Sequence, residues 1–115
     1  MMERLSGRRE FAQLQAAGVR SGRGPLRRLF RADPTQSARV AYAIPRSVGS
    51  AVDRNRIKRR LRAVIADLDV EVGIPGGDHL IRVTAPLAGW SHDRLRTAMA
   101  ELLDIPQTSR SIEDR

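Results

Sequence analysis

Ser50 to Arg62 reads SAVDRNRIKRRLR, and the periodicity of this stretch constrains the rest of the chain. Six of the nine residues from Arg54 to Arg62 are basic: Arg54, Arg56, Lys58, Arg59, Arg60 and Arg62. Wound at ~100° per residue, Ile57, Leu61, Val64, Ile65 and Leu68 gather in one sector about 100° wide. Asn55, Lys58, Arg59 and Arg62 follow i, i+3, i+4, i+7 spacing and make one polar stripe; Arg56 and Arg60 make a second beside it. The stretch is predicted to be a helix that docks by an apolar edge and leaves a wide cationic surface outside. Arg54, in the first turn near the apolar sector, is expected to reach past the helix end beside the core. Like charges this dense repel one another, and a polyanion would relieve that cost. A merely solvated helix face mixes signs for i, i+4 pairing, whereas no acid occurs from Arg54 to Ala66.

At 115 residues the chain is expected to be one domain with a small core. No apolar run approaches the ~18 residues a membrane span needs. Met1 to Arg9 has no apolar centre, so no secretory signal is expected. The absence of cysteine excludes disulfides, CxxC metal sites and thiol nucleophiles, and makes the cytoplasm the expected compartment. Residues 1–62 hold sixteen basic and four acidic residues, a net of +12; residues 63–115 hold five and nine, a net of −4. Positive charge therefore belongs to one part of the molecule, as a binding footprint requires. Twenty of the 21 cations are Arg, whose fork suits phosphate and stacks on bases, although a GC-rich genome would skew the count the same way. Nucleic acid is the expected partner. An anionic membrane is disfavoured, because the helix's apolar edge carries no aromatic anchor.

Outward from the basic helix, Ser50 and Asp53 form a capping-box pair at its start, and its end is expected near Leu68. Upstream, Ser6 can cap a helix from about Gly7 to Ala17 that carries Phe11 and Leu14 and stops at Gly18. Val19 to Gly24 reads as a loop. PLRRLFRA (Pro25–Ala32) and ARVAYAI (Ala38–Ile44) read as strands. The first has no cleanly apolar face, so one side is expected to be open to solvent or ligand. Asp69 to Asp78 reads as an acidic Gly/Pro loop, and HLIRVTA (His79–Ala85) as a third strand, with Leu80, Arg82 and Thr84 on one face. Ser91 caps a last helix to about Leu103, striped by Leu95, Ala98, Met99, Leu102 and Leu103. Residues 106–115 are expected to fray. The order helix, strand, strand, helix, strand, helix gives an α+β fold, a two-layer sandwich with a small mixed sheet. Strands 38–44 and 79–85 pair parallel if they are neighbours.

No catalytic set is present. His79, opening a strand, and His92, in a helix's first turn, read as edge or surface residues. No Walker loop, GxGxxG, HExxH or GxSxG occurs. Gly73 to Gly77 lacks a following Lys, and the acids read as unpaired loop or helix-surface residues.

The run RSVGSAVDRNRIKRRLR, Arg46 to Arg62, resembles the signature of the protein subunit of bacterial ribonuclease P, through Val48, Gly49, Ala51, Val52, Arg54, Asn55, Arg56, Lys58 and Arg59. Glu10-Phe11 ahead of Gly18, and Gly77-Asp78 ahead of the last strand, are similar to flanking features of that family. The resemblance implies a ribosomal protein S5 domain 2-like fold with a left-handed crossover around the basic helix. It implies a subunit, monomeric in the holoenzyme, that works with ribonuclease P RNA on precursor tRNA. The RNA performs a magnesium-dependent hydrolysis that removes the 5′ leader, so Mg2+ is expected in the holoenzyme, bound mainly by RNA, and none on the protein alone. Arg46, Arg54, Asn55, Arg56, Lys58, Arg59, Arg60 and Arg62 would contact RNA. Phe11, Tyr42 and Arg28 would line or flank a leader cleft between the first helix and the open sheet face. Two departures stand out: Ser47 replaces one basic residue, and Gln15 stands where relatives often carry a second aromatic. Replacing Arg56 and Arg60 together with Ala is expected to weaken RNA binding and leave the fold intact. The competing readings are a general or ribosome-associated RNA-binding protein and a DNA-binding helix; the latter lacks the preceding helix and short turn of a helix-turn-helix.

Overall fold

The computed structural model describes the backbone of residues 3–4 and 8–104 and the side chains of residues 12–104. Ser6 as a cap, the Phe11 side chain and the 106–115 tail lie outside the described residues. The elements run β1 (Glu3–Arg4), α1 (Arg8–Ala17), β2 (Val19–Arg23), β3 (Leu26–Ala32), β4 (Ala38–Ala43), a 3-10 turn (Arg46–Val48), α2 (Ala51–Glu71), β5 (Gly77–Val83) and α3 (His92–Leu102). The sheet order is β1-β4-β5-β3-β2, with β1–β4 and β4–β5 parallel and the other two pairs antiparallel. The unit β4–α2–β5 thus joins parallel neighbours through the basic helix.

Alternation along the strands divides the sheet into two faces. Leu26, Val40, Ile81 and Val83 point to one face. There they meet Ile57, Leu61, Val64, Ile65 and Leu68 of α2, together with Leu95, Met99 and Leu102 of α3. The five α2 residues are the apolar sector that its periodicity demands, and all are buried. Leu29 and Leu80 point to the other face and meet Leu14 of α1. So α2 and α3 form the second layer of the sandwich, while α1 covers only part of the opposite sheet face.

Two segments read as loops differ from the sequence reading. Val19–Gly24 is not a loop, because β2 pairs with β3 from Val19↔Phe30 to Arg23↔Leu26. Gly24 takes φ +57° and closes the two-residue hairpin with Pro25. The exposed edge strand VRSGR buries no residue fully, so no alternating signal marked it. The loop 69–78 is also shorter than expected. Helix α2 continues to Glu71, and β5 begins at Gly77. Gly77 takes φ +124°, and a Cβ there would lie 2.2 Å from the Arg31 carbonyl oxygen, so only glycine lets β5 start against β3.

His79 is no edge residue: it is fully buried, its ring stacked on Phe30 at 4.4 Å and its Nε2 2.8 Å from the Pro75 carbonyl. Burial lowers its pKa from 6.5 to about 4; the bond to Pro75 offsets part of this. The unfolded ring protonates as the pH falls through 6.5, while the folded ring stays neutral to about 4. The stability this residue contributes is therefore complete above about pH 6.5 and is lost as the pH falls towards 4. Urea titrations at neutral pH and near pH 4.5 are expected to show a loss of roughly 2 kcal/mol from this source. His79→Gln should flatten that dependence; an unchanged slope in the variant would refute it.

Candidate nucleic-acid interface

Helix α2 begins with the box its sequence predicts. Ser50 Oγ accepts from the Asp53 amide at 3.1 Å, and Asp53 Oδ2 accepts from the Ser50 amide at 3.2 Å. Arg54 turns back past the helix start, its Nε donating to the Gly49 carbonyl at 3.2 Å. Asn55, Arg56, Arg59 and Arg62 are exposed, Lys58 is half-buried, and Arg46 is exposed on the preceding 3-10 turn. Among the described residues, no carboxylate pairs with Arg46, Arg54, Arg56, Lys58, Arg59 or Arg62. The acids of α2 lie at its far end and tie it to α3: Asp67 sits 3.5 Å from His92 Nε2, and Glu71 pairs with Arg96.

Arg60 departs from the expected cationic surface. Its guanidinium donates to the carbonyls of Leu87 (3.0 Å) and Trp90, pinning α2 to the segment that leads into α3. The two carbonyls would otherwise lack these charge-assisted donors. Arg60→Ala is therefore expected to cost about 2 kcal/mol in urea denaturation. It cannot serve as a fold-neutral probe of RNA binding; a loss under about 0.5 kcal/mol would contradict this role.

Of the residues expected in the leader cleft, Arg28 is among those that line a trough beside α1, whereas Tyr42 lies on the opposite sheet face. Tyr42 faces α2, where Arg62 lies 5.9 Å from its ring centroid and burial pushes its phenol up to about 12. Arg28 packs its guanidinium 4.4 Å over Phe30, which in turn stacks on His79. Burial lowers the Arg28 pKa, with Asp104 acting in the opposite direction. Strand alternation sets where both side chains point. Leu26, Arg28 and Phe30 share the α2/α3 side, whereas Arg27 and Leu29 share the α1 side. That trough, of about 330 Å³, opens between α1 and the uncovered sheet face. Gln15, Arg20, Ser21, Arg27, Arg28, Arg82 and Thr84 surround its apolar floor of Leu29 and Leu80. Sequence reasoning assigned Arg20 and Arg82 no site, although the alternation that puts Leu80, Arg82 and Thr84 on one face already pointed there.

A second rung of the same face is neutralised internally. Asp78, fully buried, accepts from Arg39 Nε at 2.8 Å and from Arg31 at 3.4 Å. Its three side chains come from directly paired positions on β4, β5 and β3. Asp78 is therefore neither loop-borne nor unpaired. Among the described residues no group of three or more His, Asp or Glu gathers. No described helix is long and apolar enough to cross a membrane.

The profile of the ribonuclease P family matches residues 2–107. The chain belongs to the ribonuclease P protein family. Within the family, the ribonuclease P protein component of Gluconacetobacter diazotrophicus is 31% identical over 108 residues, covering 93% of this chain and 88% of that relative. The component of Kocuria rhizophila is 33% identical over 85 residues, covering 74% of each. The match to the Micrococcus luteus component, 39% identical over 67 residues, spans about half of that relative's length (51%). The ribonuclease P protein of Thermotoga maritima superposes with a TM-score of 0.77 at 24% identity, covering 91% of this chain and 99% of that one. That likeness is one of fold.

Proposed function

We propose that this chain is the protein subunit of ribonuclease P, binding the catalytic RNA through α2 and the 5′ leader of precursor tRNA through the trough beside α1. The observation that carries this reading is the basic half of α2. Its outward cations have no internal counter-ion among the described residues, so a polyanion is the partner that relieves their repulsion. Arg54, Asn55, Arg56, Lys58, Arg59, Arg62 and Arg46 supply the contacts; Arg60 instead sets the pose of the helix. The protein's part is electrostatic and positional. It screens repulsion between two RNAs and adds leader binding energy, while hydrolysis belongs to the RNA and its magnesium ions. The subunit acts as a monomer in the holoenzyme, in the cytoplasm.

Reconstitution tests the proposal. The protein is mixed with a ribonuclease P RNA and precursor tRNA at low magnesium, and 5′ cleavage is followed. Restored cleavage at the mature 5′ end is expected. A protein that binds these RNAs without restoring cleavage is a general RNA binder, and that outcome overturns the proposal.

A further inference from the structure

We propose that residues 84–91 are a brace that fixes the β2–β3 hairpin against α2, with Trp90 as the residue that positions the hairpin for the leader strand. The inference rests on the leader-binding reading above. The ladder between β3 and β5 ends at the pair Leu26↔Val83, so the hairpin tip at Gly24 and Pro25 projects beyond it. The segment that follows β5 holds that tip in two ways. Thr84 donates twice to the Pro25 carbonyl, from its amide at 2.8 Å and from Oγ1 at 3.2 Å. The Trp90 ring lies against the turn, since a Cβ placed on Gly24 would be 3.9 Å from its Cη2. The ring is itself held, packed on the core with the Arg94 guanidinium 3.9 Å from its centroid.

The same segment is fastened to α2. Leu87 is buried, and its carbonyl accepts from the Trp90 amide at 3.0 Å and from Arg60 at 3.0 Å. Arg60 also donates to the Trp90 carbonyl. One short, cross-bonded turn therefore grips the basic helix on one side and the hairpin on the other. Arg27 hangs from that hairpin. It stands on the trough wall and donates to the Gly24 carbonyl, so a shift of Gly24 carries the arginine with it. Spacing matters here because one body makes both RNA contacts. Once α2 has engaged, the second contact is intramolecular, and its effective concentration depends on how narrowly the spacing is held. A small drift of a positioning contact is costly for the same reason. Trp90 touches neither RNA in this scheme; it acts through Gly24 and Arg27.

The test uses the holoenzyme reconstituted with a ribonuclease P RNA, and compares its affinity for precursor tRNA with that for leaderless tRNA. The wild type should prefer the precursor. In Trp90→Ala that preference should fall about fivefold, while the affinity of the protein for ribonuclease P RNA alone stays at the wild-type value. Trp90→Leu, which keeps apolar bulk without the ring, should lose the same preference and takes over if the alanine variant does not fold. Arg27→Ala should lower the preference as well. Trp90→Ala with Arg27→Ala should then lose little more than either change alone, because the ring acts through that arginine. Fully additive losses overturn the inference, as does a weaker affinity of a Trp90 variant for the RNA alone. Equal wild-type affinity for the two tRNAs overturns the leader-binding reading together with it, whereas an unchanged preference in a folded Trp90 variant overturns this inference alone.

Discussion

Asp78→Ala is expected to lower stability by about 3 kcal/mol, among the largest losses any single polar substitution in this chain should produce. The carboxylate is fully buried, yet it joins three strands, because Arg39 and Arg31 reach it from β4 and β3. Both arginines keep some solvent access, at 19% and 29% of their side-chain surface, so losing the acid does not strand two buried cations. The cost is instead the lost charge-assisted bonds, a small cavity, and repulsion between two guanidiniums brought onto one rung. For a domain of this size the melting temperature should fall by roughly 10–20 °C. Asp78→Asn keeps the shape and should lose less, and Arg39→Gln should then cost less in the Asp78→Asn background than in the wild type. A melting temperature within two or three degrees of wild type would show, at about 1 kcal/mol or less, that Asp78 does not anchor the sheet.

The second large effect is on RNA. Arg56→Ala with Arg59→Ala should weaken binding to ribonuclease P RNA roughly 10- to 100-fold and make the salt dependence shallower by about two in logarithmic slope. Both side chains are exposed and touch no acid, so circular dichroism and melting temperature should stay at wild-type values. This pair replaces Arg56 with Arg60, whose bonds to Leu87 and Trp90 would mix a folding defect into the result. Filter binding across a salt series reads both quantities. A parallel pair of salt plots would rule out this face of α2 as the contact.

The helix and its docking edge were legible because a 3.6-residue period leaves a strong trace. Ile57, Leu61, Val64, Ile65 and Leu68 are the buried set, and Ser50 with Asp53 is the observed cap. The cationic surface was legible from charge alone. What stayed hidden depends on long-range contact. Arg60 looks like its neighbours until the Leu87–Trp90 segment folds back on it. Asp78 and His79 sit in a Gly-rich, polar stretch, and nothing local says that two flanking strands will bury both. Tyr42 was assigned by analogy to a cleft, but strand parity puts it on the sheet's other side, while Arg28 does reach the trough. β2 lacked a signal because an edge strand with no fully buried residue does not alternate.

Helix α2 spans 21 residues, about 30 Å, with arginines crowding its first half and Asp67, Asp69 and Glu71 near its end. Such a rod has a built-in compass. In the field of a large polyanion its basic end swings inward and its acidic end outward while the two bodies are still a Debye length apart. If the proposed function holds, encounters would be biased to the productive orientation before any atom touches, and the acids at the far end of α2 would speed complex formation without contacting the RNA.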